Sequence, residues 1–352
     1  MNDQETFGGT AAVREGFAFD TAALARWMEE HVEGYAGPLQ VEQFKGGQSN
    51  PTYKLITPGR AYVLRRKPPG QLVKGAHAID REARVIGALG KTGFPVAHLY
   101  GLCTDENVIG TWFYVMEMVE GRNFWDATFP EVGGEERPAY FDAMVSALAQ
   151  LHSIDHEAIG LGDFGKPGNY FERQISRWTR QYLDDPEAGR SADMEWLIDW
   201  LPAHIPAGDE TSLIHGDFRC DNMIFHPAEP RILAVLDWEL STLGHPLGDF
   251  GHHAMMYHMP PHVVAGLGDA DIAALNIPSE DAYLARYCSL TGRSDIANWN
   301  FYLAFNFFRL GAILHGIKGR YLRGTASSEQ AKRRGDAFPL LGEIGRKLAQ
   351  SG

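Results

Sequence analysis

The segment Leu213–Phe225, LIHGDFRCDNMIF, places an aspartate, Asp217, five residues before an asparagine, Asn222. The residues after it read as a hairpin, with NMIF, a HPAEPR turn and ILAVLD, ending in Leu236-Asp237-Trp238-Glu239. If that hairpin is symmetric about Glu229 and Pro230, Asn222 and Asp237 stand opposite one another, with Cβ atoms about 4.5–5.5 Å apart. Two oxygen-bearing side chains at that spacing can share one hard cation. Mg²⁺ takes such oxygens and keeps water and substrate phosphates in the rest of its shell. Asp217, upstream in a loop, can then orient a substrate hydroxyl and accept its proton, the division of labour used in phosphoryl transfer. The plainer reading is that Asp217 and Asn222 cap turns, which explains either residue alone but not the set of three. Arg219 can reach a transferring phosphoryl group and stabilise its equatorial oxygens, or it can pair with Asp221 on the surface.

These residues need a scaffold, and the chain divides into a β-rich first third and a helix-rich remainder. Residues 1–18 read as a loose tail, and Asp20 caps a helix that runs through Val32 with Leu24, Trp27 and Met28 on one face. From Leu39 the pattern is strand, Gly-rich turn, strand, followed by a strand over Ala61–Arg66 that ends before Pro68-Pro69. The turn Lys45-Gly46-Gly47-Gln48-Ser49-Asn50 has paired glycines that let backbone N–H groups approach phosphates, although most such turns only join hairpins. His77–Leu89 is a helix whose inward face carries Ile79, Ala83, Ile86 and Leu89, and Glu82 falls on that face. An inward carboxylate needs a cation; Arg81 and Arg84 on the same helix are two candidates. Phe113–Met118 is a buried strand. Helices follow at Tyr140–His152, Tyr170–Leu183, Met194–Leu201, Ala282–Leu290 and Trp299–Lys318. Runs of strands before runs of helices predict an α+β fold in two lobes, divided as a tail and helix over 1–38, a first lobe over 39–118 and a second over 119–352.

HGDFRCDN resembles the His-Gly-Asp-x-x-x-x-Asn catalytic loop of the aminoglycoside phosphotransferase and choline kinase-like families. LDWE at 236–239 resembles their metal-binding Asp motif, and HPLGDF, with Gly248-Asp249-Phe250, the Gly-Asp segment that follows. FKGGQSNPTYKL, YVLRRKPPG, HAIDREARV and FYVMEMVEGR are most similar to the kinase-like domain that precedes acyl-CoA dehydrogenase domains. The resemblance runs from about Leu39 onward and implies a two-lobed protein-kinase-like fold using ATP and Mg²⁺, with no room for a flavin-binding dehydrogenase domain. It implies Asp217 as catalytic base, with Arg219 beside it, and Asn222 and Asp237 as Mg²⁺ ligands. His215 would orient the loop through a backbone contact, and Asp249 would accept backbone hydrogen bonds from it. Gly46, Gly47 and Ser49 would cradle phosphates. Arg65 stands where kinases have a phosphate-binding lysine, with Arg66 and Lys67 as alternatives for the slot, and it would pair with Glu82. The backbone of Glu117 and Met118 would bind adenine. The acceptor would be a small-molecule hydroxyl, and the nearest likeness points to a hydroxyacyl-CoA.

Composition narrows the alternatives. Acids outnumber bases 45 to 32, for a net charge of −13, which disfavours nucleic acid or an anionic membrane as partner. The basic run from Arg60 to Lys74 could serve phosphates or form a solvated edge. Three scattered cysteines, Cys103, Cys220 and Cys288, form no CxxC pair and suggest a reducing, cytoplasmic setting. The N-terminus has neither a basic nor an apolar signal region, and Trp299–Ile317 is broken by Asn300, Asn306, Arg309 and His315, as a buried helix rather than a membrane span. His245, His252, His253 and His258 lack an HExxH spacing and read as core or helix-face histidines. A nucleotide-binding pseudokinase and a His/Asp metallohydrolase remain as other readings.

Overall fold

The structure is a computed structural model that describes residues 9–45, 50–68, 78–324 and 329–351. Gly46, Gly47 and Ser49, expected to cradle phosphates, lie outside the described residues, as do Lys74 and His77. Two compact units emerge. The first comprises Met1–Trp125, His156–Phe164 and Asp221–Ser241; the second comprises Asp126–Asp155, Gly165–Cys220 and Thr242–Gly352.

The first unit is built on a six-stranded sheet: β1 (Thr10–Ala11), β2 (Gln40–Phe44), β3 (Thr52–Ile56), β4 (Ala61–Arg66), β5 (Leu99–Cys103) and β6 (Phe113–Glu117). Its order is β1-β2-β3-β4-β6-β5, with every pairing antiparallel. Period-two alternation gives each strand two faces. Tyr53, Leu55, Tyr62, Leu64, Phe113 and Val115 form one core with Leu24, Trp27 and Met28 of helix α1 (Thr21–His31). Asp20 caps that helix as expected, accepting from the N–H groups of Ala22 and Ala23 at 2.9 Å each. Arg65 of β4 and Tyr114 of β6 belong to the opposite face and meet helix α2 (Ile79–Leu89), as described below.

Strand β5 escaped the pattern reading because Gly101 interrupts its apolar run. The glycine has a packing reason: a Cβ there would come within 3.1 Å of the Trp27 ring, the close approach for which a strand keeps glycine.

The hairpin of β8 (Met223–Phe225) and β9 (Ile232–Val235) also belongs to this unit. Its register corrects the sequence-based one. His226 N–H donates to Arg231 O, so the turn centres one residue earlier than Glu229–Pro230. A bulge between Ile224 and Phe225 then shifts the pairing to Met223↔Val235. Asn222 therefore faces Leu236, whose N–H donates to Asn222 O at 2.8 Å, and Asp237 is the next residue. Gly121 lies against the hairpin, where a Cβ would fall 2.2 Å from Phe225 O.

The second unit is helical. Five expected helices are present: α4 (Arg137–Ser153), α5 (Tyr170–Leu183), α6 (Ala192–Ala203), α8 (Glu280–Thr291) and α9 (Trp299–Leu322), with the short α3 (Glu106–Ile109) belonging to the first unit. To these the structure adds α7 (Pro246–Ala254), two C-terminal helices, α10 (Glu329–Asp336) and α11 (Phe338–Gln350), and a ribbon of β7 (Ser212–Ile214) with β10 (Thr242–Gly244). Helix α9 is the spine, packed against α5, α6, α7, α10 and α11. Among the described residues no helix is long and apolar enough to cross a membrane.

Candidate active site

The site residues fall into two sets, one in each unit. In the first unit the pleat of β4 sends Arg65 toward α2, while Arg66 faces the other way, donating to Phe17 O at 3.0 Å and stacking over Phe19 and Tyr53. Lys67 sits over the Trp112 ring. Arg65 Nε lies 2.9 Å from Glu82 Oε2, and its Nη2 donates to Asp237 Oδ1 at 2.8 Å and to Glu239 Oε2 at 3.4 Å. Glu82, only 1% exposed, is held further by Asn50 Nδ2 at 2.8 Å and the Tyr114 hydroxyl at 3.0 Å. Arg81 and Arg84, the alternative partners, turn instead to the Phe164 carbonyl and to Asp163. Burial alone would favour a neutral Arg65, but Asp237 and Glu82 outweigh it and raise its pKa, so the guanidinium stays charged. Burial raises the Glu82 pKa, with Arg65 opposing.

Asp237 follows β9 with a left-handed backbone, φ +62, a conformation that aspartate tolerates better than most residues and that costs on the order of 1–3 kcal/mol. It stays partly exposed, at 35%. A carboxylate that already holds a cation, beside an amide-bearing residue at the mouth of the same hairpin, is a donor set of hard oxygens suited to Mg²⁺.

In the second unit the loop His215–Arg219 is fixed by its surroundings. Asp249 of α7 accepts from the backbone N–H groups of His215 at 2.7 Å and Gly216 at 2.8 Å. Arg309 of α9 donates to Gly216 O at 2.8 Å. The Asp217 N–H donates to His215 Nδ1 at 3.2 Å, the backbone contact expected of that histidine. His253 Nδ1 is 3.1 Å from Phe218 O. The Asp217 carboxylate itself meets two side chains at Oδ1: His252 Nε2 at 3.0 Å and Arg219 Nε at 3.5 Å. Burial opposes its charge, yet Arg219 and the His252 hydrogen bond outweigh that and hold its carboxyl well below the usual carboxylate range. Asp249 is likewise depressed, burial being outweighed by the His152 contact and then by the His215 neighbourhood.

The role of His252 was not visible in the sequence, where it looked like a core residue. The available signal was its spacing: three residues after Asp249 on one helix, it must share the face that grips the loop. The other histidines are accounted for. His245 caps α7, accepting from Leu247 N–H at 3.2 Å; His258 pairs with Glu280 at 2.8 Å. Among the described residues no group of three His, Cys, Asp or Glu side chains is arranged to hold a metal.

Comparison with known proteins gives the family and the fold. The phosphotransferase enzyme family matches residues 40–286. A solved Ralstonia eutropha JMP134 chain that carries the provisional name aminoglycoside phosphotransferase is 54% identical, with a TM-score of 0.88 over 95% of this chain and 99% of that one. Choline kinase from Cryptosporidium parvum Iowa II shares the fold at 12% identity, with a TM-score of 0.64 over 95% and 97% of the two chains. Mouse acyl-CoA dehydrogenase family member 10 is 43% identical over 95% of this chain but only 32% of its own length. Human acyl-CoA dehydrogenase family member 11 is 42% identical over 95% of this chain and 43% of its own. The chain thus spans less than half of those curated relatives. With the family matched over most of its length, the chain belongs to the phosphotransferase enzyme family and has its kinase-like fold.

Proposed function

We propose that this chain transfers the γ-phosphoryl group of ATP, in the presence of Mg²⁺, to a hydroxyl of a small molecule, and that the acceptor is a hydroxyacyl-CoA. The observation that carries the reading is the Asp217 loop: an ionised carboxylate on a backbone pinned at 215, 216 and 218 by Asp249, Arg309 and His253. Asp217 takes the hydroxyl proton as the acceptor oxygen bonds to phosphorus and the bond to the ADP oxygen breaks. Arg219 stabilises the equatorial oxygens. Asn222 and Asp237 would hold Mg²⁺, which neutralises charge on the phosphates when bound. Arg65, held by Glu82, would meet the phosphates, and Gly46, Gly47 and Ser49, which lie outside the described residues, are proposed to contact them as well. Glu117 N–H already donates to His98 O at 2.8 Å, so the adenine contacts fall to the Glu117 carbonyl and to Met118.

The acceptor class is supported by relatives over 40% identical that are named for acyl-CoA dehydrogenases. Three free, buried cysteines fit a cytoplasmic site of action.

Radiolabelled γ-phosphate transfer from ATP and Mg²⁺ over a panel of hydroxyacyl-CoAs tests the reading. Asp217→Asn should lower transfer at least ~10²-fold with nucleotide affinity little changed. Nucleotide binding with no transfer to any hydroxyl would leave a pseudokinase instead. A folded Asp217→Asn protein with near-normal transfer would remove the base assignment.

A further inference from the structure

Three buried histidines of the second unit surround the catalytic loop, and two of them use both ring nitrogens. His253 contacts Phe218 O through Nδ1 and the Tyr283 hydroxyl through Nε2. His152 contacts the Tyr287 hydroxyl through Nδ1 and Asp249 through Nε2. His252 differs. It is buried, at 5% exposed, yet among the described residues only Nε2 is engaged, 3.0 Å from Asp217 Oδ1, and its Nδ1 has no hydrogen-bond partner.

We propose that His252 is a positioning residue for Asp217: its Nε2–H fixes the orientation of the base's carboxylate. An ionised carboxylate can only accept, so Nε2 must carry the proton. A neutral imidazole has one N–H, so Nδ1 is then the bare acceptor, and it is this atom that is left without a partner. Burial favours the neutral ring, lowering its pKa. His315 of α9, also buried, likewise leaves Nδ1 unmet among the described residues while its Nε2 meets Gly189 O, so what marks His252 is that its Nε2 meets the Asp217 carboxylate.

The backbone supplies the rigidity this needs. His252 and His253 are consecutive on α7, and they grip consecutive loop residues, Asp217 through its side chain and Phe218 through its carbonyl. Asp249, one turn earlier, holds the two residues before them. One helix thus fixes the loop's path and the rotamer of its reacting side chain.

This inference rests on the phosphotransferase reading for its kinetic test but not for its spectroscopic one. ADP formation from ATP and Mg²⁺, with water or a hydroxyacyl-CoA as acceptor, should fall about 10- to 100-fold in His252→Ala. KM for ATP should stay the same. His252→Gln, which keeps a donor on a side chain of similar reach, should recover most of the loss. On an Asp217→Asn background, His252→Ala should change nothing further. An equal loss on that background, or a folded His252→Ala with an unchanged rate, overturns the proposal. Should the variant fail to fold, or the wild type turn over no ATP, ¹⁵N-histidine NMR on the wild type decides. His252 must be neutral with its proton on Nε2, and its resonances must move in Asp217→Asn. A proton on Nδ1, or a signal indifferent to Asp217, overturns it.

Discussion

In the sheet-bearing unit, Asp237 is met by a full positive charge, Arg65 at 2.8 Å, which also serves Glu82 and Glu239. In the helical unit, Asp217 is met by a neutral imidazole at 3.0 Å, with Arg219 farther off at 3.5 Å, on a loop stapled by backbone hydrogen bonds. The two arrangements suit different tasks. A guanidinium shared among three carboxylates can pass one of them to another cation and turn to phosphates without loss of charge balance. A clamp made of directional hydrogen bonds holds one geometry. The sheet-bearing half is therefore built to exchange partners, and the Asp217 loop of the helical half is built to stay put.

The largest expected effect comes from breaking the exchangeable half. Arg65→Ala strands Glu82, 1% exposed, without its cation. Removing one member of a buried pair costs about 3–5 kcal/mol, so denaturant unfolding should show a loss of that size together with loss of phosphoryl transfer. Arg65→Met combined with Glu82→Leu removes both charges and should restore much of the stability while transfer stays lost. If transfer returned with stability, Arg65 would be structural only, and the contrast between the halves would fail.

How much of this could be read from the sequence differs between the halves. The Asp217, Asn222 and Asp237 spacing was legible in a loop and a hairpin, and helix periodicity turned Glu82 inward, while Arg65 as its partner came from the resemblance to kinases and is met in the structure at 2.9 Å. Several features were not legible. The register around Asn222 depended on a turn centred one residue earlier and on a bulge at Ile224–Phe225, which no turn residue announces. The membership of 221–241 in the sheet-bearing unit depended on the close approach of Gly121 and Arg122 to Phe225, a long-range contact. The hold of His252 on Asp217 spans 35 residues and pairs two residue types that are each common in unrelated roles.

A smaller effect separates the halves by pH. His245 and His253 are buried and their pKa values are pushed down to about 4, in both cases chiefly by burial. In the unfolded chain they titrate near 6.5. Between those values the unfolded state binds more protons, so stability rises with pH and falls as pH drops through that window. From pH 6.5 to 5.5 the two together should cost about 2 kcal/mol. The depressed carboxylates Asp217 and Asp249 contribute stability that is lost only at lower pH, and Glu82, with its raised pKa, works in the opposite direction to the histidines. Melting curves over this range should slope down toward acid. His245→Asn keeps a capping side chain but removes one titrating group, so its slope should be shallower, with His253, His252 and His315, all lowered chiefly by burial, still contributing. An unchanged slope would show that the helical unit does not depend on neutral histidines.

The smallest effect is the one that tests whether burial, rather than pairing itself, sets the strength of the Arg65 cluster. Arg286 and Asp142 form a two-pronged pair in the helical unit, with Nε at 2.6 Å and Nη2 at 3.4 Å from the two carboxylate oxygens. Its hydrogen-bond geometry is as good as that of Arg65 with Asp237. Both side chains are nearly half exposed, at 45% and 49%, so water and salt screen the attraction, and freezing two long side chains offsets most of the rest. Arg286→Ala should therefore cost less than about 1 kcal/mol, and the difference from wild type should shrink further in 0.5 M salt. Phosphoryl transfer should not change. A loss approaching that of Arg65→Ala would mean that an arginine–carboxylate fork is costly to break wherever it lies. The stability of the sheet-bearing half would then owe nothing special to its dry interior.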